Sequence, residues 1–205
     1  PDKGHLYSNI FNVKNQDRFS WLHQFIFKGN CLCHPTVMIR RSCYERAGLY
    51  DPRFAQIPDL DLWIRICMFT DIHVLPTELL ALRILDKEGN VSAARPEVVR
   101  RCAWEWQYVL RHFVRLNRTD FNRVFAEHLK DSDVHDEDPV FLAFARVALS
   151  SGITHAQRFA LDLLFRELDG SDSQRFSYGE FINHTGKYDL FGIENVKELQ
   201  SIVRD

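Results

Sequence analysis

The sequence predicts an α+β protein, with a small partial sheet and helices over residues 1–95 and an all-α helical region over residues 96–205. Two observations predict this division. Before position 95, short apolar and β-branched runs alternate with turn residues, as strands and short helices do. After it, long amphipathic patterns with helical spacing dominate. We therefore expect two domains with a boundary near residue 95.

Both element types are predicted in the first domain. Helices are expected where apolar residues recur at helical spacing, at Gln16–Lys28, Ser42–Ala47 and Asp59–Phe69. Strands are expected in short β-branched and apolar runs, at Thr36–Arg40, Ile72–Leu75 and Leu79–Ile84. Ser42 has the residue type of an N-cap and Gly48 that of a helix end. A polar loop, Asp86–Pro96, closes the domain.

Every element predicted for the second domain is a helix: Glu97–Leu116, Asp120–Leu129, Pro139–Ser150, His155–Leu168, Tyr178–His184 and Ile193–Val203. An acidic run, Asp131–Asp138, separates the second and third of these helices. We interpret this run as a solvated loop. A calcium site is the alternative, but the run lacks the Gly and the closing Glu of an EF-hand loop.

Composition and charge exclude several classes of function. The formal net charge is −2 and the pI about 6.6, so the chain lacks the basic field typical of nucleic-acid-binding proteins. No apolar run reaches the ~18 residues of a membrane span. The five cysteines are odd in number and form no Cys-x-x-Cys pair, which indicates reduced thiols in a cytoplasmic protein. Cys31 and Cys33 have no second ligand pair, so a structural zinc site is not expected.

Two carboxylates one residue apart, Asp59 and Asp61, stand directly before the apolar run that contains Trp63. Asp59 follows Pro58 where the helical period begins, so it can cap free backbone N–H groups, which contributes about 1 kcal/mol. The helix dipole would lower its pKa and keep it ionised. Asp61 would lie about 200° around the helix from Asp59. The two carboxylates would therefore diverge and would not chelate one metal ion.

Three motifs follow one another in the first domain: His-Pro-Thr-Val-Met-Ile-Arg-Arg at residues 34–41, Gly-Leu-Tyr-Asp at 48–51 and Pro-Asp-Leu-Asp-Leu-Trp-Ile-Arg at 58–65. This ordered series resembles the acceptor-side half of family 2 glycosyltransferases with the GT-A fold. No single motif is specific for this family, but the order of the three motifs along the chain is. The match covers about a quarter of the chain closely, and the resemblance extends over the first 95 residues. It implies that the predicted sheet is a partial GT-A sheet.

The resemblance implies an inverting transfer of a sugar from a nucleotide-sugar donor to a glycan or lipid-linked acceptor. Asp59 would be the general base that deprotonates the acceptor hydroxyl. A divalent metal, Mg²⁺ or Mn²⁺, would neutralise the diphosphate in the full-length enzyme, although no metal ligand is expected in this chain. The residues that the motifs bring near the acceptor are candidates for substrate binding: His34, Asp61, Trp63, Arg65 and Arg83.

Each of these substrate-binding candidates has a structural alternative. His34 fits a loop residue and Trp63 a core residue of an amphipathic helix. Arg65 fits an ion pair with Asp61 at i, i+4. Arg83 fits either a phosphate or acceptor anion, or an ion pair on a strand surface.

The sequence also departs from the family pattern. Pro58 stands where relatives commonly have Glu, and the triplet Arg83-Ile84-Leu85 replaces an Arg-x-His whose His assists the metal or the diphosphate. No nucleotide-binding half precedes His34. We therefore expect the chain to be the C-terminal part of a longer transferase, inactive alone, whose partner is the missing N-terminal half. An unpaired sheet edge would favour a homodimer. The alternative function is a non-catalytic helical protein-interaction module.

Overall fold

The computed structural model describes residues 10–81, 95–168 and 176–187, and the described residues form an all-α structure. Helices α1 to α8 span Arg18–Phe27, Arg41–Ala47, Pro58–Cys67, Pro96–Leu110, Arg118–Val124, Val140–Ser150, Thr154–Glu167 and Tyr178–Lys187. Two short 3₁₀ helices lie at His34–Thr36 and Phe113–Arg115. These eight α-helices match eight of the nine predicted helices in position, with ends that differ by up to several residues. The ninth predicted helix, Ile193–Val203, lies outside the described residues.

The predicted partial GT-A sheet is wrong, because the described residues contain no β-strand. Thr36 lies in a 3₁₀ turn in which its hydroxyl donates to the Cys33 carbonyl at 2.7 Å. Val74 lies outside any helix or strand, and its N–H donates to the Asn15 side chain at 2.9 Å instead of to a neighbouring strand. Leu79–Ala81 is irregular, and the rest of that predicted strand lies outside the described residues. β-propensity alone does not form a strand without a pairing partner.

The homodimer was expected because an unpaired sheet edge could join a second copy. That reason no longer holds, because the described residues contain no sheet. The described residues offer no row of unpaired strand N–H and C=O groups for a second copy to join.

The chain divides into two compact units, one comprising Pro1–His112 with Arg118–Val124 and the other Phe113–Asn117 with Phe125–Asp205. Helix α4 therefore belongs to the first unit, although the sequence placed the boundary near residue 95. The first unit's main segment ends at His112, and the 3₁₀ helix that follows belongs to the second unit.

The first unit is built around α1 and α3. Helix α1 begins at Asp17, whose carboxylate accepts from the Ser20 N–H at 2.8 Å as an N-cap. It packs on α3 and α5 and buries Phe19, Trp21, Leu22, Phe25 and Ile26. Arg18 ties three segments together, because its guanidinium donates to the Met68 carbonyl at 2.8 Å and to Asp120 at 3.0 Å. This core fixes the position of α3, which carries the two carboxylates.

The second unit has an aromatic core between α6, α7 and the second 3₁₀ helix. Its rings contact each other with centroids 5.8–6.1 Å apart, and they belong to Phe113, Phe125, Phe144 and Phe159. The acidic run is not simply a solvated loop. Asp138, near its end, is buried and lies 3.2 Å from Arg146, which also contacts Asp133 at 3.3 Å. A buried arginine therefore anchors this segment to α6.

Candidate active site

Asp59 lies in the first turn of α3, with Pro58 at the first helical position and Ile57 as the N-cap residue. It is half-buried. Its Oδ1 accepts from the Leu60 N–H at 2.8 Å, and its Oδ2 accepts from the Asn30 side chain at 2.7 Å. The carboxylate is thus held by two hydrogen bonds but is not fully enclosed. It is therefore two residues past the N-cap position predicted for it.

Aromatic and polar side chains surround this carboxylate. The His34 ring packs edge-on against Tyr50 at 5.7 Å and tilted against Trp63 at 6.5 Å. Burial and the neighbouring Tyr44 raise the pKa of Tyr50 to about 12, and the negative charge of Asp59 contributes to that rise. We call the group of Asp59, Asn30, His34 and Tyr50 the Asp59 site.

Burial raises the pKa of Asp59 above the ordinary value for an aspartate. The hydrogen bonds from Leu60 and Asn30 and the charge of His34 oppose this rise but do not cancel it. The expectation that the helix dipole would lower the pKa of Asp59 is therefore wrong, because desolvation of the charged form is the larger effect. A carboxylate with a raised pKa is a stronger base than a solvated one, which suits proton abstraction.

The environment of Asp61 lowers its pKa, whereas that of Asp59 raises it. Asp61 is 1% exposed, and its two oxygens accept from Arg65 Nε at 2.8 Å and from His112 Nε2 at 2.7 Å. Burial alone would raise the pKa of Asp61, but these hydrogen bonds and the nearby charges outweigh it and hold the pKa below its usual value. The ion pair at i, i+4 that the sequence offered as an alternative is present. These contacts give Asp61 a structural role.

Arg65 continues the same network toward α2. Besides Asp61, its guanidinium donates to the carbonyl oxygens of Ala47, Gly48 and Leu49, the last at 3.0 Å. It therefore binds the C-terminal end of α2, where carbonyl groups lack helical partners. Gly48 adopts φ +82° and ψ 171°, a conformation nearly restricted to glycine. Arg65 is engaged by the protein rather than presented to a ligand.

The remaining predicted binding residues differ in accessibility. His34 is exposed and belongs to the Asp59 site. Trp63 is 2% exposed, as expected of a core residue, and its Nε1 is buried without a hydrogen-bond partner. Arg83 lies outside the described residues. Of the predicted site residues, the structure therefore brings together Asp59 and His34 at an accessible position.

Glu105 on α4 is a residue that the sequence reasoning missed. It is 1% exposed, and its carboxylate accepts from the backbone N–H groups of Ala55, Gln56 and Ile57 at 2.8, 2.9 and 3.0 Å. These are the last residues before α3, so Glu105 fixes the segment that leads into Asp59. The sequence feature that could have identified Glu105 is the position of a carboxylate within the apolar stripe of α4, between Val98 and Val109.

The described residues do not fit a metal site. They contain no group of three or more His, Cys, Asp or Glu side chains placed to hold an ion. Asp59 and Asp61 point to different partners, as the helical offset predicts, and Asp61 is fully used by Arg65 and His112. We therefore derive no catalytic step through a metal in this chain.

The described part of the chain contains no helix with the length and apolar character needed to cross a membrane. The functional interpretation depends on the geometry of the Asp59 site together with the motif resemblance. Neither a protein-family model, nor a curated protein, nor a solved structure matches this chain.

Proposed function

We propose that this chain is the acceptor-side and C-terminal part of an inverting glycosyltransferase, in which Asp59 is the general base. The observation that carries the proposal is the environment of Asp59: a half-buried carboxylate with a raised pKa, at a helix start, beside the exposed His34. Local geometry and the motif series support it. Similarity of fold does not support it, because the described residues contain no sheet.

In the proposed reaction, Asp59 accepts the proton of an acceptor hydroxyl. The hydroxyl oxygen forms a bond to the anomeric carbon of the donor sugar from the face opposite the leaving group. The bond to the nucleoside diphosphate breaks, and the diphosphate departs with the electron pair, so the configuration inverts. Asn30 orients the carboxylate through its 2.7 Å hydrogen bond. His34 is positioned to contact the acceptor.

The proposal includes partners that the described residues do not supply. The nucleotide-sugar donor, and the divalent metal that neutralises its diphosphate, would be bound by an N-terminal half. Two apolar side chains outside the helices are available to such a partner, because Met38 is 98% exposed and Leu79 is 72% exposed. We place the reaction in the cytoplasm and its product in a cell-surface polysaccharide.

The test uses the enzyme that contains this chain together with its nucleotide-sugar-binding half. Asp59→Asn should lower the transfer rate by about 10²–10⁴-fold, the usual contribution of a general base, while donor binding stays intact. Asp162→Asn, which alters an exposed carboxylate of α7, is the matched control and should leave transfer unchanged. Unchanged transfer in Asp59→Asn would reject the proposal.

One observation favours the alternative function, a non-catalytic helical protein-interaction module. Three large apolar side chains of α7 and α8 are exposed by 54–76%, namely Phe165, Tyr178 and Ile182. Such a surface is typical of protein contacts. Under this alternative, Phe165→Asp should abolish binding to the partner protein, whereas Asp59→Asn should leave that binding unchanged. Loss of transfer in Asp59→Asn would reject it.

A further inference from the structure

A pocket of about 230 Å³ lies in the first unit, between residues 51–54 and one side of α4. Its lining residues are Asp51, Arg53, Phe54, Trp104, Tyr108 and Arg111. We call it the Trp104 pocket. Trp104 and Tyr108 are one helical turn apart, with ring centroids 4.7 Å from each other, and they are 53% and 42% exposed. Two exposed neighbouring aromatic rings give the pocket a broad apolar wall.

Of the two arginines that line the pocket, one is hydrogen-bonded to Asp51 and the other is not. Arg53 binds both oxygens of Asp51, at 2.6–3.1 Å, and these hydrogen bonds hold the pKa of Asp51 well below its usual range. Arg111 lies 3.8 Å from Asp51, too far for a hydrogen bond. Its Nε is buried and has no hydrogen-bond partner. The pocket lining therefore carries a net positive charge, and the 34% exposed guanidinium of Arg111 makes an ion pair but no hydrogen bond with Asp51. Such a guanidinium can donate to a carboxylate on a ligand.

The pocket is preformed. The backbone N–H of Phe54 donates to the Asp51 carbonyl at 3.1 Å, which closes a turn. The next three residues are held by the buried Glu105 carboxylate, which lies on α4 between Trp104 and Tyr108. Because the floor and the aromatic wall are joined by these hydrogen bonds, binding requires little ordering of the protein.

The same helix passes close to Asp59. The negative charge of Asp59 contributes to the raised pKa of Cys102 on α4, after burial and the charge of Glu105. At 1.5 Å per residue, the pocket side chains lie about 3 to 14 Å along the helix from Cys102. Trp104 and Cys102 are about 200° apart around the helix, so only a ligand long enough to pass around α4 can reach from the pocket toward Asp59.

We propose that the Trp104 pocket binds an acidic sugar residue of an oligosaccharide acceptor. The apolar face of the ring stacks on Trp104 and Tyr108, and the sugar carboxylate accepts hydrogen bonds from Arg111. The pocket is smaller than the roughly 300–1,000 Å³ of common ligand sites, so it suits one ring rather than a nucleotide sugar. A sugar carboxylate gives Arg111 a charged hydrogen-bond acceptor, which a neutral sugar does not. That the bound sugar is part of an acceptor rests on the proposed function. That the pocket binds an acidic sugar does not depend on the proposed function.

The test is a calorimetric titration of the full chain with a trimer of galacturonic acid and with the same trimer after reduction of its carboxyl groups. The acidic trimer should bind more tightly. Trp104→Ala should weaken its binding about tenfold or more, as loss of an aromatic anchor does. Trp104→Phe should retain part of the affinity. Arg111→Gln should remove the preference for the acidic trimer, because the carboxylate loses its donor. Val99→Ala, which alters an exposed apolar residue of α4 outside the pocket lining, is the control and should bind normally.

Equal binding of the two trimers, failure of both to bind, or unchanged binding by folded Trp104→Ala would overturn the inference. Circular dichroism checks that each variant folds. Asp59→Asn separates this inference from the proposed function, because it should bind the acidic trimer normally. If the trimer does not bind but Asp59→Asn abolishes transfer, the pocket assignment fails alone. If the trimer binds but Asp59→Asn transfers normally, the assignment of the base fails alone.

Discussion

Replacing Glu105 by Gln should destabilise the first unit far more than an isosteric change normally does. The carboxylate accepts three backbone N–H groups at 2.8–3.0 Å while 1% exposed, and one oxygen serves both Gln56 and Ile57. A glutamine can keep the pair of bonds to one oxygen, but its NH₂ group then faces the Ala55 N–H, donor against donor. Loss of one hydrogen bond to a charged acceptor costs about 1.5–3 kcal/mol, and the other two hydrogen bonds then have a neutral acceptor instead of a charged one. We expect a total of about 3 kcal/mol.

Urea unfolding followed by tryptophan fluorescence measures this loss selectively, because all four tryptophans of the chain lie in the first unit. The matched control is Glu97→Gln on the same helix, whose carboxylate is exposed and contacts Arg95. Its midpoint should equal that of the wild type within error. A midpoint for Glu105→Gln as high as that of Glu97→Gln would refute the reasoning, because the three hydrogen bonds would then contribute nothing to stability.

Three further predictions concern α3 and its neighbours. Asp61→Asn should cost about 3–5 kcal/mol at neutral pH by breaking a buried charged network. Because the folded-state pKa of Asp61 is lowered, its contribution is present above the unfolded pKa of about 3.9 and is lost as pH falls through the folded pKa. Urea unfolding over this pH range should show that loss in the wild type and not in the variant. Asp59→Asn should unfold at equal or higher urea than the wild type near pH 7. The raised folded-state pKa of Asp59 means that stability falls as pH rises from about 3.9 through the folded pKa, and a lower midpoint would contradict this sign. Gly48→Ala should cost about 1–3 kcal/mol, because φ +82° with ψ 171° strains any residue with a Cβ. A neutral Gly48→Ala would contradict the conformation described.

Local patterns in the sequence predicted local structure well. Helical spacing located α1 and α3 and their buried faces, and the i, i+4 spacing of Asp61 and Arg65 indicated their ion pair. Gly48 marked the end of α2 because its backbone conformation is nearly restricted to glycine. In each case the decisive interaction joins residues within a few positions of one another.

The errors concern interactions between residues distant in sequence. Thr36–Arg40 has the composition of a strand, but a strand also needs a partner, and the described residues provide none. Glu105 acts on residues about 50 positions earlier, which no spacing rule connects. The pKa of Asp59 was expected to be low from the helix dipole alone. Its burial depends on the packing around α3, and burial has the larger effect.

We propose opposite roles for two carboxylates one residue apart: Asp59 acts as the base and Asp61 as a structural anchor. An NMR titration of the carboxyl carbons of both residues in this chain tests that assignment. We predict a pKa above the ordinary value of about 3.9 for Asp59 and below it for Asp61. Asp61→Asn and Asp59→Asn assign the two signals. A pKa for Asp59 at or below that of Asp61 would contradict the account.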